Sequence, residues 1–412
     1  MPSDPNPEQL QKIDALLQAG QWAQSESLIL QLLAPEPAEV RGPKAVRGAP
    51  TTAAGGAWKL HLLLGNALAG QGKHEPAAAA FRKVILAQPS LAEAHYKLGI
   101  VYAQAGQMPQ AVDALQLAAS YAPHHAAVYG NLGNALRETG DLDAAITAFR
   151  RAITLAPDDP SQHNNLGNAL SDKGELAAAI ASFRTAIDLA PDFALAYNNL
   201  GQTLLEAGNH IEAISRLEHA LKLAPGFVLA LNNLGNALLA AGRPDEALEP
   251  LKSAVAAQPG LVEAWINLGN ALAENGQSGA AKKHLEHALT LDPNRAETHN
   301  SLGNLLQSAQ RSEDAIAHFR IAISIKPRCA LAHNNLGSAL QQAGQTTSAM
   351  ASFRRALQLD PTLTLASANL GRAHLKRGEH ATGLPLIMRH TGALRFEHQQ
   401  FQLLPGSSYA KT

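Results

Sequence analysis

Asparagine is the residue whose placement in this chain most clearly invites chemistry. One set falls at Asn131, Asn165, Asn199, Asn233, Asn267, Asn335 and Asn369, and a second, three residues on, at Asn66, Asn134, Asn168, Asn236, Asn270 and Asn304. A carboxamide carries both donor and acceptor, as a peptide group does, so a row of them matches the main chain of an extended segment. Asparagine is also a poor helix former, and thirteen at two fixed positions call for a cause. Binding of a guest backbone is one cause. The other is bonding to neighbouring helices or water, which would set the angle between structural units. Both readings stay open at this point.

Other reactive patterns are weaker. His284 and His287 are spaced to share a helical face but have no third Cys or acidic ligand nearby in sequence, so a solvated face is the reading and no metal is expected. His124-His125 reads the same way. The glycines are too far apart for a phosphate loop, and no Gly-x-Ser-x-Gly nucleophile elbow occurs. Asp141, Asp143 and Glu175 fit helix N-termini electrostatically. Neither a catalytic residue nor a cofactor is implied, and the chain reads as a non-enzyme.

The elements that hold the asparagines follow from a period. A Leu-Gly pair returns every 34 residues, ten times, from Gly65 to Gly371, and a proline keeps the same step from Pro89 to Pro361. Such a period means stacked units rather than globular domains. In the unit from residue 160, one helix is predicted over Ser161–Asp172 and closes at Gly174, whose freedom at positive φ suits a helix end. A second is predicted from Glu175 to Leu189, with Pro191 just beyond it. The closing glycine recurs in register except at Gln310, where a strained or reshaped turn is expected. Gly167 and Ala179 let the two backbones approach closely, Phe183 fills the space one turn on, and Ala186 lets the next unit dock. Pro250 is expected to kink its helix. In the last unit Gly383 replaces the usual Ala, Pro385 is expected to interrupt the helix, and His390 stands where Ala is usual.

This pattern of a large residue, Leu-Gly, then Ala, Phe and Pro at set offsets resembles the tetratricopeptide repeat (TPR). The resemblance covers ten units over residues 58–391. Tyr129, Tyr197 and Trp265 hold the aromatic position, and His61, His95, His163, His299 and His333 replace it elsewhere. Residues 1–34 read as a degenerate first helix pair around Gly20, with Leu10, Ile13, Leu16 and Leu17 on one stripe and Leu28, Ile29, Leu32 and Leu33 on the other. Residues 35–57 read as a flexible Pro/Gly linker. The tail, 392–412, has no helical period and reads as extended, either covering the last unit or opening a further domain. The implied fold is all-α, a right-handed superhelical solenoid of antiparallel helix pairs, with the first helix of each pair facing inward.

The Asn-Leu-Gly-Asn pattern is similar to the TPR arm of O-linked N-acetylglucosamine transferases and their bacterial relatives. That resemblance implies that the two asparagine rows hold the backbone of a protein partner. The family's catalytic domain follows the repeats, and only 392–412 lies beyond them here, so the resemblance implies the arm and not the activity. A second TPR class grips a terminal carboxylate with clustered cations. Here Lys59, Lys97, Arg137 and Arg372 are scattered, and Glu138, Asp172, Glu206 and Glu274 oppose an anion.

Bulk composition agrees with a protein or peptide as the partner. A net charge of -1 and a pI near 7.0 argue against nucleic acid and anionic membranes. With 46% hydrophobic but only 4% aromatic residues, the core is one of closely packed aliphatic helices. The single Cys329 excludes an internal disulfide framework and fits a reducing compartment. With no signal-peptide pattern and no long apolar run, a cytoplasmic location is expected. Self-association through the C-terminal repeat is a further expectation.

Overall fold

A computed structural model describes residues 6–34, 56–391, 394–397 and 400–403, with side chains over 6–34 and 56–388. The stretch 35–57 expected as a linker lies outside the described residues except for its last two. The chain divides into two compact units, residues 1–208 and 209–412.

The first unit holds α1 (Pro7–Gln18), α2 (Trp22–Leu33), α3 (Ala57–Gly70), α4 (His74–Ala87), α5 (Ala92–Gln104), α6 (Met108–Tyr121), α7 (Ala126–Glu138), α8 (Leu142–Leu155), α9 (Pro160–Asp172), α10 (Leu176–Leu189) and α11 (Ala194–Glu206). The second holds α12 (His210–Leu223), α13 (Val228–Ala240), α14 (Pro244–Ala257), α15 (Val262–Glu274), α16 (Ser278–Leu291), α17 (Ala296–Ser308), α18 (Ser312–Ile325), α19 (Ala330–Gln342), α20 (Thr346–Leu359), α21 (Thr364–Lys376) and α22 (His380–Thr391). A hairpin follows, β1 (Leu394–Glu397) against β2 (Gln400–Leu403), antiparallel with Leu394 opposite Leu403 and Phe396 opposite Phe401. From α3 on, the odd-numbered helix of each repeat (helix A) carries the Leu-Gly pair and the even-numbered one is helix B. No helix among the described residues is long and apolar enough to cross a membrane.

The helix A glycine has a steric cause that is sharper than expected. A Cβ on Gly167 would lie 2.6 Å from Cε1 of Phe183, a ring with 0% exposure. Phe183 therefore sits on the glycine itself rather than a turn away from it. Leu115, Leu251 and Leu285 cover Gly99, Gly235 and Gly269 in the same way. Helix A then ends in a Schellman turn: Glu175 N–H reaches Leu170 O at 2.8 Å, and Gly174 N–H reaches Ser171 O at 2.8 Å, with Gly174 at φ 83°. At Gln310 the same two bonds form, at 2.9 and 3.0 Å, with φ 59°. The turn keeps its shape there, and a side chain sits in a conformation that ordinarily costs about 1–2 kcal/mol.

One expectation at the end of the repeats is corrected. Helix α22 runs through Pro385 instead of stopping at it, since a proline removes one donor and leaves the ladder on either side. Gly383 also has a packing reason: a Cβ there would lie 2.8 Å from the Gly371 carbonyl oxygen, so these two backbones approach more closely than in the other repeats. Pro250 lies inside α14, which continues past it. At the start of the chain, Ile13 and Ile29 are fully buried, and a Cβ on Gly70 would meet the Trp22 ring at 2.5 Å, which docks α2 on α3.

Candidate functional site

Helices α7, α9 and α11 line a cavity of about 510 Å³ in the first unit. In the second, α13, α15 and α17 line one of about 520 Å³, and α17, α19 and α21 one of about 760 Å³. Asparagines from both rows face these cavities, and the two rows behave differently.

The first row is largely engaged between repeats. Asn199 Nδ2 donates to Asn164 Oδ1 at 3.0 Å, Asn267 to Asn232 at 2.9 Å, Asn335 to Asn300 at 3.0 Å, and Asn369 to Asn334 at 2.9 Å. Asn131 donates to the Tyr96 hydroxyl at 3.1 Å. Asn233 is not free either. Each of these partners stands 35 residues back, on the preceding helix A, and Asn131 also donates to Ala127 O on its own helix at 2.9 Å. Asn165 is the exception, because Gly130 occupies that place, and its amide has no hydrogen bond among the described residues.

The second row has no such partners. Asn66, Asn134, Asn168 and Asn270 are half-buried and Asn236 and Asn304 exposed, and none makes a side-chain hydrogen bond among the described residues. Six amides thus stand on the inner face of helix A with donors and acceptors unspent.

Sequence reasoning missed the acceptors. Asn164 and Asn334 are 2% and 1% exposed, and they belong to the ladder as much as the residues that follow them. A signal was available in the 35-residue offset. Lys97 and Ser301 replace asparagine in the first row, and the residues 35 back are Leu62 and Ile266, which offer no acceptor.

The histidines at the aromatic position also have a role that their sequence position did not disclose. Nε2 of His95, His163 and His333 lies 2.8, 2.9 and 3.1 Å from the carbonyl oxygen of Pro89, Pro157 and Pro327, six residues earlier. Trp265 Nε1 does the same to Pro259 at 2.8 Å. At these residues, and at Tyr129 through its hydroxyl at 3.4 Å from Pro123 O, a flat ring with a polar hydrogen satisfies the carbonyl of the proline past helix B. His284 and His287 pack on Trp265, with ring centroids 5.3 and 4.5 Å away. Burial lowers the pKa of His318, and His299 beside it, with Nδ1 atoms 3.0 Å apart, lowers it further. Among the described residues no three His, Cys, Asp or Glu side chains cluster as metal ligands do.

Comparison with known proteins agrees with the helix pairs. The model of the cilia and flagella-associated protein 70 C-terminal domain matches residues 162–400, more than half the chain, and two tetratricopeptide-repeat models match residues 133–174 and 62–122. The chain belongs to this TPR family. No curated protein matches it. A TPR protein from Parabacteroides merdae is 17% identical with a TM-score of 0.52, covering 60% of this chain and 98% of its own. The Cut9–Hcn1 hetero-tetramer of the APC/C is 14% identical with a TM-score of 0.52, covering 92% of this chain and 80% of its own. Both share the TPR fold. YrrB, described as a TPR protein with an unusual peptide-binding site, is 28% identical over 45% of this chain and 96% of its own, with a TM-score of 0.37.

Proposed function

We propose that this TPR chain is a non-catalytic scaffold that holds an extended segment of another protein along the inner faces of its A helices. The observation that carries the reading is the second asparagine row, of which Asn168, Asn236, Asn270 and Asn304 face open cavities without side-chain hydrogen-bond partners of their own. The first row mainly sets the stacking of one helix A on the next, and the second meets the guest. Each contact exchanges water for an amide–backbone bond worth about 1 kcal/mol net, so several repeats must act together to hold a partner.

The test is a pull-down with N236A/N270A/N304A. Capture of the partner is lost while the helical circular dichroism signal is unchanged. If these three changes instead unfold the protein, the second row is structural and the reading fails. N267A/N335A/N369A is the matched control, and it lowers stability first.

A second reading, favoured by the Asn-Leu-Gly-Asn pattern, is that the same face is the recognition arm of a glycosyltransferase. Sugar transfer to the captured partner, assayed with the purified chain and with its genomic neighbours added, separates the two.

A further inference from the structure

What kind of segment the face takes is written in how its residues change from one end of helix A to the other, an inference that rests on the scaffold reading above. The inner face shows four positions per helix, spaced by four, three and four residues. In α19 they are Leu331, Asn335, Ser338 and Gln342, and in α21 they are Leu365, Asn369, Arg372 and Lys376.

One edge is apolar. Leu331 and Leu365 are 47% and 43% exposed, one repeat apart at the start of successive A helices. The opposite edge is cationic. Arg372 and Lys376 line the cavity of about 760 Å³ together with Gln307, Gln341 and Gln342, and no carboxylate lines it. Neither cation has an ion pair among the described residues. Arg372 donates only to Asn369 Oδ1, at 3.2 Å. The nearby Glu379 is committed elsewhere, 2.5 Å from His374 Nδ1 and 3.1 Å from Arg377 Nε. Arg372 and Lys376 are also like charges four residues apart on one helix, which repel. An anion lodged between them relieves that repulsion and supplies the counter-charge that the surrounding amides do not.

Read from the sequence, Arg372 is one of several scattered cations in a face that also carries acids. The geometry separates those cases. Arg137, in the cavity of the first unit, is already paired with Asp172 at 2.8 Å, and Glu206 lines the same space. Among the described A helices of the second unit, the unpaired positive charge lies on α21, while Lys97 is a single unpaired cation in the first unit.

Helix rise puts Arg372 about 10 Å, and Lys376 about 16 Å, along the axis from Leu365. A strand lying across the A helices turns successive side chains to opposite sides. One set then reaches the leucine ledge and the other reaches the cations. We propose that the α17–α21 face takes a protein segment in which apolar and acidic residues alternate, apolar side chains on Leu331 and Leu365 and carboxylates on Arg372 and Lys376.

The test is selection of random 12-residue peptides by messenger-RNA display on the full chain and on R372Q/K376Q. Peptides selected on the unaltered chain carry Asp or Glu alternating with Leu, Ile, Val or Phe, and those selected on R372Q/K376Q lose the acidic excess. A selected peptide binds R372Q/K376Q at least about tenfold more weakly, and its Glu→Gln version loses as much on the unaltered chain and little more on the variant. Peptides without an acidic excess, or unchanged affinity for R372Q/K376Q, overturn the proposal and leave the scaffold reading standing. A selection that yields no binders overturns both.

Discussion

Replacing Asn335 with alanine separates the two asparagine rows most sharply. Four amides form one chain across three repeats: Asn369 donates to Asn334 at 2.9 Å, Asn334 to Asn335 at 3.2 Å, and Asn335 to Asn300 at 3.0 Å. Asn335→Ala removes two of these bonds, each worth about 1 kcal/mol net, and leaves the Asn334 amide, 1% exposed, short of an acceptor. The gain in helix propensity is at most about 0.7 kcal/mol, so the net loss is about 2 kcal/mol. Asn304→Ala removes no bond from an exposed side chain and is neutral or slightly stabilising. Because stacked repeats contact only their neighbours, the loss concentrates around α17–α22. Urea unfolding followed at 222 nm gives its size, and hydrogen exchange locates it, with amides of α19–α22 exchanging roughly 30-fold faster. If N335A and N304A unfold alike, the first row does not join the repeats and the division of labour between the rows collapses.

Gly167→Ala forces a Cβ to within 2.6 Å of the buried Phe183 ring; overpacking of about 1–3 kcal/mol outweighs a helix gain of about 1 kcal/mol. A lower melting temperature is expected, and a higher one would refute the contact. Gln310→Gly relieves the positive φ and raises the melting temperature, by up to about 1 kcal/mol of stability; a fall would show that the Gln310 side chain contributes more than the strain costs. The pKa values of His284 and His318 are lowered by burial first and by His287 and His299 second. The native state therefore binds fewer protons than the unfolded one, and stability declines as pH falls through the ordinary imidazole range. H284Q/H318Q flattens that slope in thermal melts between pH 7.5 and 5.5, and an unchanged slope would assign it to other groups.

The helix pairs were legible because their markers are steric and nearly invariant within the chain: glycine under Phe183, proline past helix B, and a positive-φ glycine closing helix A. Gln310 was legible as an exception but not in its outcome, since the two bonds of the turn outweigh the strain of one residue. Pro385 misled for the converse reason, its cost being local while the helix is held by its neighbour. Spacing alone places the second asparagine row on one face of helix A. The role of the first could not be assigned that way, because its partner lies one repeat and one residue back, and only the pairing of Ser301 with Ile266 and of Lys97 with Leu62 betrays it. The histidine-to-proline bonds span six residues across a turn, a distance that helical periodicity does not test.

The most direct measurement places a photo-crosslinking amino acid in turn at inner positions Ser308, Ser338 and Gln342, and at outer position Glu249 as control, in the full chain with its partner bound. A scaffold for an extended segment gives crosslinks from the inner positions only, to consecutive residues of one stretch of the partner. Crosslinks from Glu249 as strong as those from inside, or inner crosslinks to unrelated regions of the partner, would contradict it.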